Sequence, residues 1–393
     1  MFGTHFSWKR VGRGVLLLAA VLGTLVTVAT SVRAQTLTTL YSFAGGTDGV
    51  WPEAGLVMDE QGNLYGTTVG GGASGAGTVF ELSPSGRETV LYPFTGPDGA
   101  SPMVDLIMDK QGNLYGTTLK GGAYNAGTVF MVTPSGTETA LHSFTGGADG
   151  GWPLGGVIFD TQGNLYGTTD GGGASGWGTV FELSPSGTET VLHNFSFQPS
   201  IISTRDGQSP ISAVFDPRGN LYGTTLQGGA WGTGTIFKVT PGKRQWSTIF
   251  CNLEWLNGHY SGVVFGPQGN LYGTTDTGGA YGEGTVVMVT PSCTETVLHS
   301  FTGGADGRLP YGGVIFDMQG NLYGTTRGGG AYNGGTVFEL TPSGTEMVLY
   351  SFTWGADGGS PFGGVIFDTQ GNLYGTTSVG GAYGWGTVFK LTP

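Results

Sequence analysis

The sequence is poor in basic residues and in helix-forming stretches. It has 15 Lys and Arg against 27 Asp and Glu, which gives a formal net charge of −12. A chain this acidic repels phosphate backbones and anionic lipids, so nucleic-acid and membrane-surface partners are not expected. After residue 34 no stretch has the apolar spacing of an amphipathic helix, because glycine interrupts every window. The 79 glycines show no three-residue period, which excludes a collagen-like chain.

The first 34 residues have the features of a signal peptide. Basic residues precede an apolar run from Gly14 to Val32, and small or aliphatic side chains stand at −3 and −1 of a cut after Ala34. An uncleaved membrane anchor is the alternative. We expect cleavage, which leaves residues 35–393 as a single exported domain, extracellular or periplasmic, without membrane attachment.

A short motif recurs along the rest of the chain. Gln-Gly-Asn-Leu-Tyr-Gly-Thr-Thr first occurs at residues 61–68, and its later copies change only the Gln, to Arg218. Its Asn falls at 63, 113, 164, 220, 270, 321 and 372. Seven copies of a unit of about fifty residues indicate a closed repeat architecture.

Each copy predicts four short strands. In residues 153–195 these are Gly156 to Asp160, Leu165 to Thr169, Gly178 to Leu183 and Glu189 to Phe195, separated by two tight turns and one long Gly-rich loop. Four antiparallel strands repeated seven times are typical of a seven-bladed, all-β propeller.

The two ends of the chain complement each other. Residues 36–43 match a fourth strand with no first three before them, and residues 386–393 are a third strand without a fourth. Pairing the N-terminal strand with the C-terminal blade would close the ring and leave no open edge at the seam. A single closed ring of this kind is expected to be a monomer.

The copies resemble a known exported repeat. Gly-Val-Ile-Phe-Asp-x-x-Gly-Asn-Leu-Tyr-Gly-Thr-Thr, a Gly-rich loop and Gly-Thr-Val-Phe-Glu-Leu-Thr-Pro-Ser-Gly are similar to the GloVer tandem repeat of bacterial "choice-of-anchor" proteins and, more distantly, to NHL and virginiamycin-lyase-like propellers. The resemblance implies export and a propeller fold, with no assigned activity. No C-terminal sorting helix follows the repeats, so surface attachment through one is not expected.

The propeller axis offers little chemistry. The residues predicted to enter it are Gly55, Asp105, Gly156, Ala213, Gly262, Gly313 and Gly364. Only Asp105 could act chemically, and we expect it to be a solvated charge at the rim of the axis. No histidine cluster has metal-ligand spacing. We therefore predict no catalytic residue, metal or cofactor, with an extracellular lyase, lactonase or glycan-active enzyme as the alternative.

Aromatic side chains in the long loops are the best binding candidates, because flat rings with a polar edge suit sugars and partner proteins. Each could instead fill a gap between blades. The position after Thr-Thr varies among the copies, so specificity is predicted there and in neighbouring loop residues. The predicted binding residues are Trp51, Trp152, Trp177, Trp231, Tyr281, Tyr332, Trp354, Tyr383, Trp385, Asp170, Asp276 and Arg327. The expected partner is a glycan or an extracellular protein.

The remaining polar residues are expected to be structural. The Asp of each tight turn and the Asp of each Asp-Gly pair are predicted to form turns, with calcium binding as the alternative for the second set. Cys251 and Cys293 are predicted to lie at opposite faces, about 23 Å apart, too far for a disulfide. The segments 196–210 and 242–261 depart most from the repeat.

Overall fold

Hydrophobic residues alternate with small or polar ones in every copy, and the chain folds accordingly into short antiparallel strands. The computed structural model describes residues 35–196, 207–229, 232–242, 251–252 and 262–393. The predicted signal peptide, Trp231, Asp206 of one Asp-Gly pair and most of the two irregular segments lie outside these residues. Within these residues there is no α-helix, and neither of their short 3₁₀ helices is long and apolar enough to cross a membrane.

The strands are β1 (Thr36–Ser42), β2 (Val57–Met58), β3 (Leu64–Thr68), β4 (Thr78–Leu82), β5 (Glu88–Pro93), β6 (Ile107–Met108), β7 (Leu114–Thr118), β8 (Thr128–Val132), β9 (Glu138–Ser143), β10 (Ile158–Phe159), β11 (Leu165–Thr169), β12 (Thr179–Leu183), β13 (Glu189–Asn194), β14 (Gln208–Pro210), β15 (Val214–Phe215), β16 (Leu221–Gln227), β17 (Thr235–Val239), β18 (Cys251–Asn252), β19 (Val264–Phe265), β20 (Leu271–Thr275), β21 (Thr285–Val289), β22 (Glu295–Ser300), β23 (Ile315–Phe316), β24 (Leu322–Thr326), β25 (Thr336–Leu340), β26 (Glu346–Ser351), β27 (Ile366–Phe367), β28 (Leu373–Thr377) and β29 (Thr387–Thr392). Two 3₁₀ turns lie at Gly46–Asp48 and Pro267–Gly269.

These strands form seven antiparallel blades, as predicted. The third blade has the order β10-β11-β12-β13, and the others repeat it, with β14 added beside β16 in the fourth. The second strand of that blade has the predicted bounds, while its first strand is shorter, at Ile158–Phe159. The fold class is therefore confirmed.

The ring closes as the sequence predicts. β1 pairs with β29 in antiparallel register from Thr36↔Thr392 to Ser42↔Thr387, so the seventh blade has the order β1-β29-β28-β27. The Phe43 amide continues the contact by donating to the Gly386 carbonyl at 3.0 Å.

Phenylalanine rings connect neighbouring blades. Phe43, at the end of the outer strand of the seventh blade, packs edge to face on Phe80 of the first at 5.2 Å, and both are fully buried. The glycine of the motif makes room for this ring, because a Cβ on Gly66 would lie 2.7 Å from Phe80. The same contact recurs at five further junctions, in the pairs Phe94–Phe130, Phe144–Phe181, Phe195–Phe237, Phe301–Phe338 and Phe352–Phe389.

Each tight-turn aspartate holds its own turn. The Asp59 carboxylate accepts hydrogen bonds from the amides of Gln61 (2.9 Å) and Asn63 (2.8 Å), from Asn63 Nδ2 (2.7 Å) and from the Tyr65 hydroxyl (3.0 Å). Burial alone would raise the pKa of this carboxyl, but the hydrogen bonds outweigh burial and lower it. The predicted structural role is confirmed.

The aspartates of the Asp-Gly pairs also shape turns. Asp48 accepts hydrogen bonds from the Ala44 amide at 2.7 Å and from the Tyr41 hydroxyl at 3.0 Å. Asp149 bonds to the Thr145 amide at 2.9 Å and contacts His142 Nε2 at 3.3 Å, so histidine replaces tyrosine at the same strand position. These contacts support turn formation over calcium binding.

At several blade junctions the aspartate of an Asp-Gly pair lies close to a glutamate of an outer strand. The Glu that begins an outer strand lies near the Asp of the preceding crossing, in the acid pairs Glu88–Asp48, Glu138–Asp98, Glu189–Asp149 and Glu346–Asp306. Partial burial and then the neighbouring Asp raise the pKa of each of these Glu residues to about 7. One oxygen of each Glu is buried and has no hydrogen-bond partner within the described part of the chain.

The prediction that the two cysteines stay unpaired is wrong. Cys251 and Cys293 form a disulfide with their Cα atoms 5.3 Å apart. The prediction placed the outer strand that carries Cys251 and the tight turn that carries Cys293 at opposite faces of the propeller. In the structure this turn of the fifth blade lies against the outer strand of the fourth blade. The repeat shows this contact elsewhere, since a Cβ on Gly136, which stands where Cys293 does, would lie 2.7 Å from the Leu91 carbonyl oxygen. The disulfide therefore joins the fourth and fifth blades.

We expect loss of this disulfide to lower the free energy of unfolding by about 2–4 kcal/mol, because it restricts the unfolded chain over a separation of 42 residues. Chemical unfolding with and without reductant measures the change. Cys293→Gly is the informative variant, since Cys293 has φ 65° and glycine occupies this turn position in other copies. Its stability should not respond to reductant. An unchanged unfolding midpoint of the wild-type protein after reduction would contradict the prediction.

Candidate functional site

The second-to-third-strand loops and the blade-to-blade crossings form one hydrogen-bonded layer, here called the long-loop face. In the first blade Val50 and Gly70 exchange backbone hydrogen bonds of 2.9 and 3.2 Å, and the Gly72 amide donates to the Gly46 carbonyl at 2.7 Å. Equivalent bridges join Gly151 to Gly171, Arg308 to Gly328 and Gly359 to Val379. These bonds hold the loops in place despite their glycine content.

The residue before each crossing proline ties adjacent blades together. The Trp51 amide donates to the Trp385 carbonyl of the neighbouring blade at 3.2 Å, and the Trp51 carbonyl accepts from the Val69 amide at 3.1 Å. This double role requires a left-handed backbone, which is strained for a non-glycine residue. The equivalent residues have φ between 53° and 58°: Trp51, Ser101, Trp152, Ser209, Leu309 and Ser360.

The predicted aromatic residues lie on this face and are open to solvent. Trp152 packs over Gly171 and Trp354 over Gly359, so backbone covers one side of each ring. Trp51 and Trp385 meet edge to face at 5.7 Å. The predicted rings that the structure describes are between 39 % and 63 % exposed: Trp51, Trp152, Trp177, Tyr281, Tyr332, Trp354, Tyr383 and Trp385. They are therefore not buried plugs between blades.

A cavity of about 590 Å³ lies on the axis, lined by residues from all seven blades. The predicted axis glycines line it, as does Asp105. Ala213 does not, because the prediction was one residue out of register. Ser212 is the true equivalent, four residues before the turn aspartate, and it lines the cavity.

Hydrogen bonding between the inner segments differs where the axis residue is not glycine. At four junctions the first Thr of Thr-Thr donates to the next blade's inner segment, as from Thr117 to the Gly155 carbonyl at 3.0 Å. Thr67 and Thr168 face the blades that carry Asp105 and Ser212, and their buried hydroxyls find no hydrogen-bond partner among the described residues. The hydrogen bond between inner segments is therefore missing at the two described junctions that face the non-glycine axis residues.

Asp105 is exposed and lines the cavity. Its Oδ1 accepts a hydrogen bond of 2.6 Å from the Gly55 amide of the adjacent blade. The surrounding blades raise the pKa of this carboxyl by desolvation, and the hydrogen bond from Gly55 opposes this only in part. A carboxyl in this environment can hold a proton or a cation.

A charged and aromatic cluster lies at the end of the cavity nearest the long loops. Tyr311 and Phe362 stack at 4.7 Å, and the Arg327 guanidinium lies 5.5 and 5.3 Å from their ring centres. Arg327 Nε donates to Ser360 Oγ at 3.3 Å. Burial raises the pKa of Glu53, and the charge of Arg327 partly offsets that effect.

The predicted specificity positions differ in their placement. Arg327 belongs to the cluster just described, and Asp276 is buried beside Tyr311, whose pKa it raises in addition to the larger effect of burial. Asp170 is half-buried at the equivalent position of the third blade. The structure thus brings Asp276 and Arg327 together through Tyr311.

Apart from Tyr311, which belongs to the aromatic residues of the long loops, the residues after the crossing prolines were missed by the sequence analysis. The proline is constant while the next residue varies, and this contrast was the available signal. These residues line the cavity: Glu53, Met103, Leu154, Ile211, Tyr311 and Phe362. In the described residues no group of three or more His, Cys, Asp and Glu side chains could hold a metal ion.

A family model described as the Gloeobacter/Verrucomicrobia repeat matches residues 18–158, 147–261 and 256–393. No curated protein matches the chain significantly. Three solved propellers share its fold. The WD40 β-propeller domain of Doa1 has a TM-score of 0.53 at 12 % identity, over 90 % of this chain and 96 % of that one. A "putative 6-phosphogluconolactonase" from Bacteroides fragilis has 0.52 at 18 %, over 81 % and 87 %.

The third is the extracellular domain of a "putative one component system" from B. thetaiotaomicron, with a TM-score of 0.57 at 13 % identity. The match covers 91 % of this chain and 42 % of that one. At such identities the likeness concerns the fold alone.

Proposed function

Because this chain belongs to the Gloeobacter/Verrucomicrobia repeat family, whose copies here build a seven-bladed propeller, we propose that it is an exported binding module that recognises glycans through the long-loop face. The observation that carries the proposal is the set of exposed tryptophan and tyrosine rings on that face. Two of these rings, Trp152 and Trp354, lie on glycine backbone. Sugars stack their apolar faces on such rings, while polar ring edges donate hydrogen bonds.

Two further features support glycan binding. The rings are spread over several blades, so a chain of sugars could contact more than one of them at once, and weak contacts then add. The loops carrying them are held by backbone hydrogen bonds, which limits the entropy lost on binding. An extracellular protein partner is the other reading of the same surface.

Glycan-array binding of residues 35–393, with and without EDTA, tests the proposal. We expect saturable binding to one glycan class that does not depend on EDTA. Replacing Trp51, Trp152, Trp354 and Trp385 together by alanine should weaken it at least tenfold, because each stacked ring contributes about 1 kcal/mol or more.

Met318→Ala and Met347→Ala are the matched controls, since both side chains are exposed but lie in a tight turn and an outer strand, outside the long-loop face. They should leave binding unchanged. Full binding by the fourfold tryptophan variant would exclude this face as the glycan site. No binding to any glycan would favour a protein partner.

An enzyme remains the second candidate, as a lyase, lactonase or glycan-active hydrolase, and Asp105 is the observation that favours it. Its raised pKa and its place in the cavity suit a general acid or base. The described residues bring no histidine and no second carboxyl into hydrogen-bond contact with it. Because Asp105 lacks such a partner and the long-loop face carries many exposed rings, we favour binding over catalysis.

A further inference from the structure

We propose that the axial cavity is a separate binding site for a small organic amine, whose apolar body fills the cavity and whose cationic group pairs with Asp105. This site is independent of glycan binding on the long-loop face. It rests on the size and lining of the cavity and on the unmet hydrogen-bonding capacity of one carboxylate.

The cavity has the size and lining of a small-molecule site. Its volume of about 590 Å³ falls within the range of roughly 300–1,000 Å³ that is usual for ligand pockets. Met103, Leu154, Ile211 and Leu226, from the second, third and fourth blades, give it an apolar wall. Removing a ligand's apolar body from water against this wall would drive binding.

Asp105 is the polar group that such a ligand would meet. Its Oδ1 is bonded to the Gly55 amide, and among the described residues nothing donates to its Oδ2. No basic side chain of the described chain contributes to its pKa. Glu53 at the mouth differs, because Arg327 acts on it electrostatically. Asp105 is thus the cavity carboxylate without a counter-charge.

The chemistry selects an amine over other polar groups. A carboxylate gains both a hydrogen bond and a counter-charge from an ammonium group, whereas a hydroxyl supplies the hydrogen bond alone. An anionic ligand would be repelled by Asp105 and by the acidic chain as a whole. An apolar body carrying one cationic group therefore matches the cavity best.

Isothermal titration of three isosteres tests the proposal: tryptamine, tryptophol and indole-3-acetate, with hexylamine and 2-phenylethylamine as smaller amines. In the wild-type protein we expect an amine to bind roughly tenfold or more tightly than its alcohol, and the acid to bind least, because hydrogen bonds between charged groups are the stronger ones. Equal affinities of amine and alcohol, or no binding by any of the amines, would overturn the proposal.

The repeat supplies the matched variants. Asp105→Gly restores the residue that five other copies carry at this position, so the fold should be retained, as a thermal melt will show. This variant should bind amine and alcohol equally. Ser212→Gly makes the same change at the other non-glycine position and should keep the preference for the amine. Loss of the preference in Ser212→Gly, or its survival in Asp105→Gly, would place the cation elsewhere.

Discussion

Deletion of residues 35–43 should abolish the closed folded ring. The deletion removes all of β1 and the fully buried Phe43 ring, and it exposes the edge of β29 along its whole length. Loss of one buried phenylalanine alone typically costs about 3–5 kcal/mol. An open edge also pairs with other chains. We expect aggregates or edge-paired oligomers in size-exclusion chromatography.

A circular permutant is the matched control. In the other blades a turn such as Thr341 to Thr345, with the sequence Thr-Pro-Ser-Gly-Thr, connects the third strand to the fourth. Joining Pro393 to Thr36 through Ser-Gly recreates this turn, and a chain that begins at Ala44 then carries its fourth strand at the C-terminus. This permutant should be monomeric and cooperative in unfolding. A monomeric, cooperatively unfolding deletion variant would show that the seam does not hold the ring.

The second large effect concerns pH. Each Glu of the four acid pairs has a pKa raised to about 7 in the folded protein, above its unfolded value of 4.5. A raised carboxyl pKa means that the folded protein holds the proton more tightly than the unfolded chain. This contribution is fully present below pH 4.5 and is lost as pH rises through 7. We therefore expect the free energy of unfolding to increase as the pH is lowered from 8 to 5.

The size of the effect is limited by solvent, since these side chains are only half-buried. After screening, roughly 1 kcal/mol per pair is reasonable, and four pairs would then raise the melting temperature by about 5 °C. Stability should fall again below about pH 4, because the turn aspartates have lowered pKa values and lose their contribution on protonation.

Thermal melts across this range measure the effect. The variant with Glu88, Glu138, Glu189 and Glu346 all changed to Gln should melt at nearly the same temperature at pH 5 and pH 8. Changing the exposed Glu60 to Gln is the control and should leave the pH dependence intact. A wild-type protein that is more stable at pH 8 than at pH 5 would contradict the prediction.

The sequence predicted what repeats within one copy. The strands around Gly163 and the aspartate of each turn follow from local alternation and turn chemistry, and the ring closure follows from the two incomplete ends. Contacts between copies were harder to foresee. The disulfide between Cys251 and Cys293 depends on how a turn leans on the preceding blade, which no pattern within a repeat records.

For the candidate site too, features within one copy could be predicted from the sequence, whereas features assembled from several copies could not. Exposed loop rings such as Trp152 could be named from the sequence, because they interrupt glycine runs. The cavity could not, because it is assembled from one or two residues of every blade. Its variable lining, such as Glu53 and Tyr311, adjoins a constant proline, but only the ring geometry turns those residues toward a common centre.

The seam has a consequence for how such proteins change over generations. Because the break in the ring falls inside a blade, β1 complements β29 whatever number of whole copies lies between them. Unequal recombination within the nearly identical repeats would add or remove entire units without leaving an unpaired end. Ring size can then change in a single genetic event, and the residues at the axis must afterwards adapt to the new diameter.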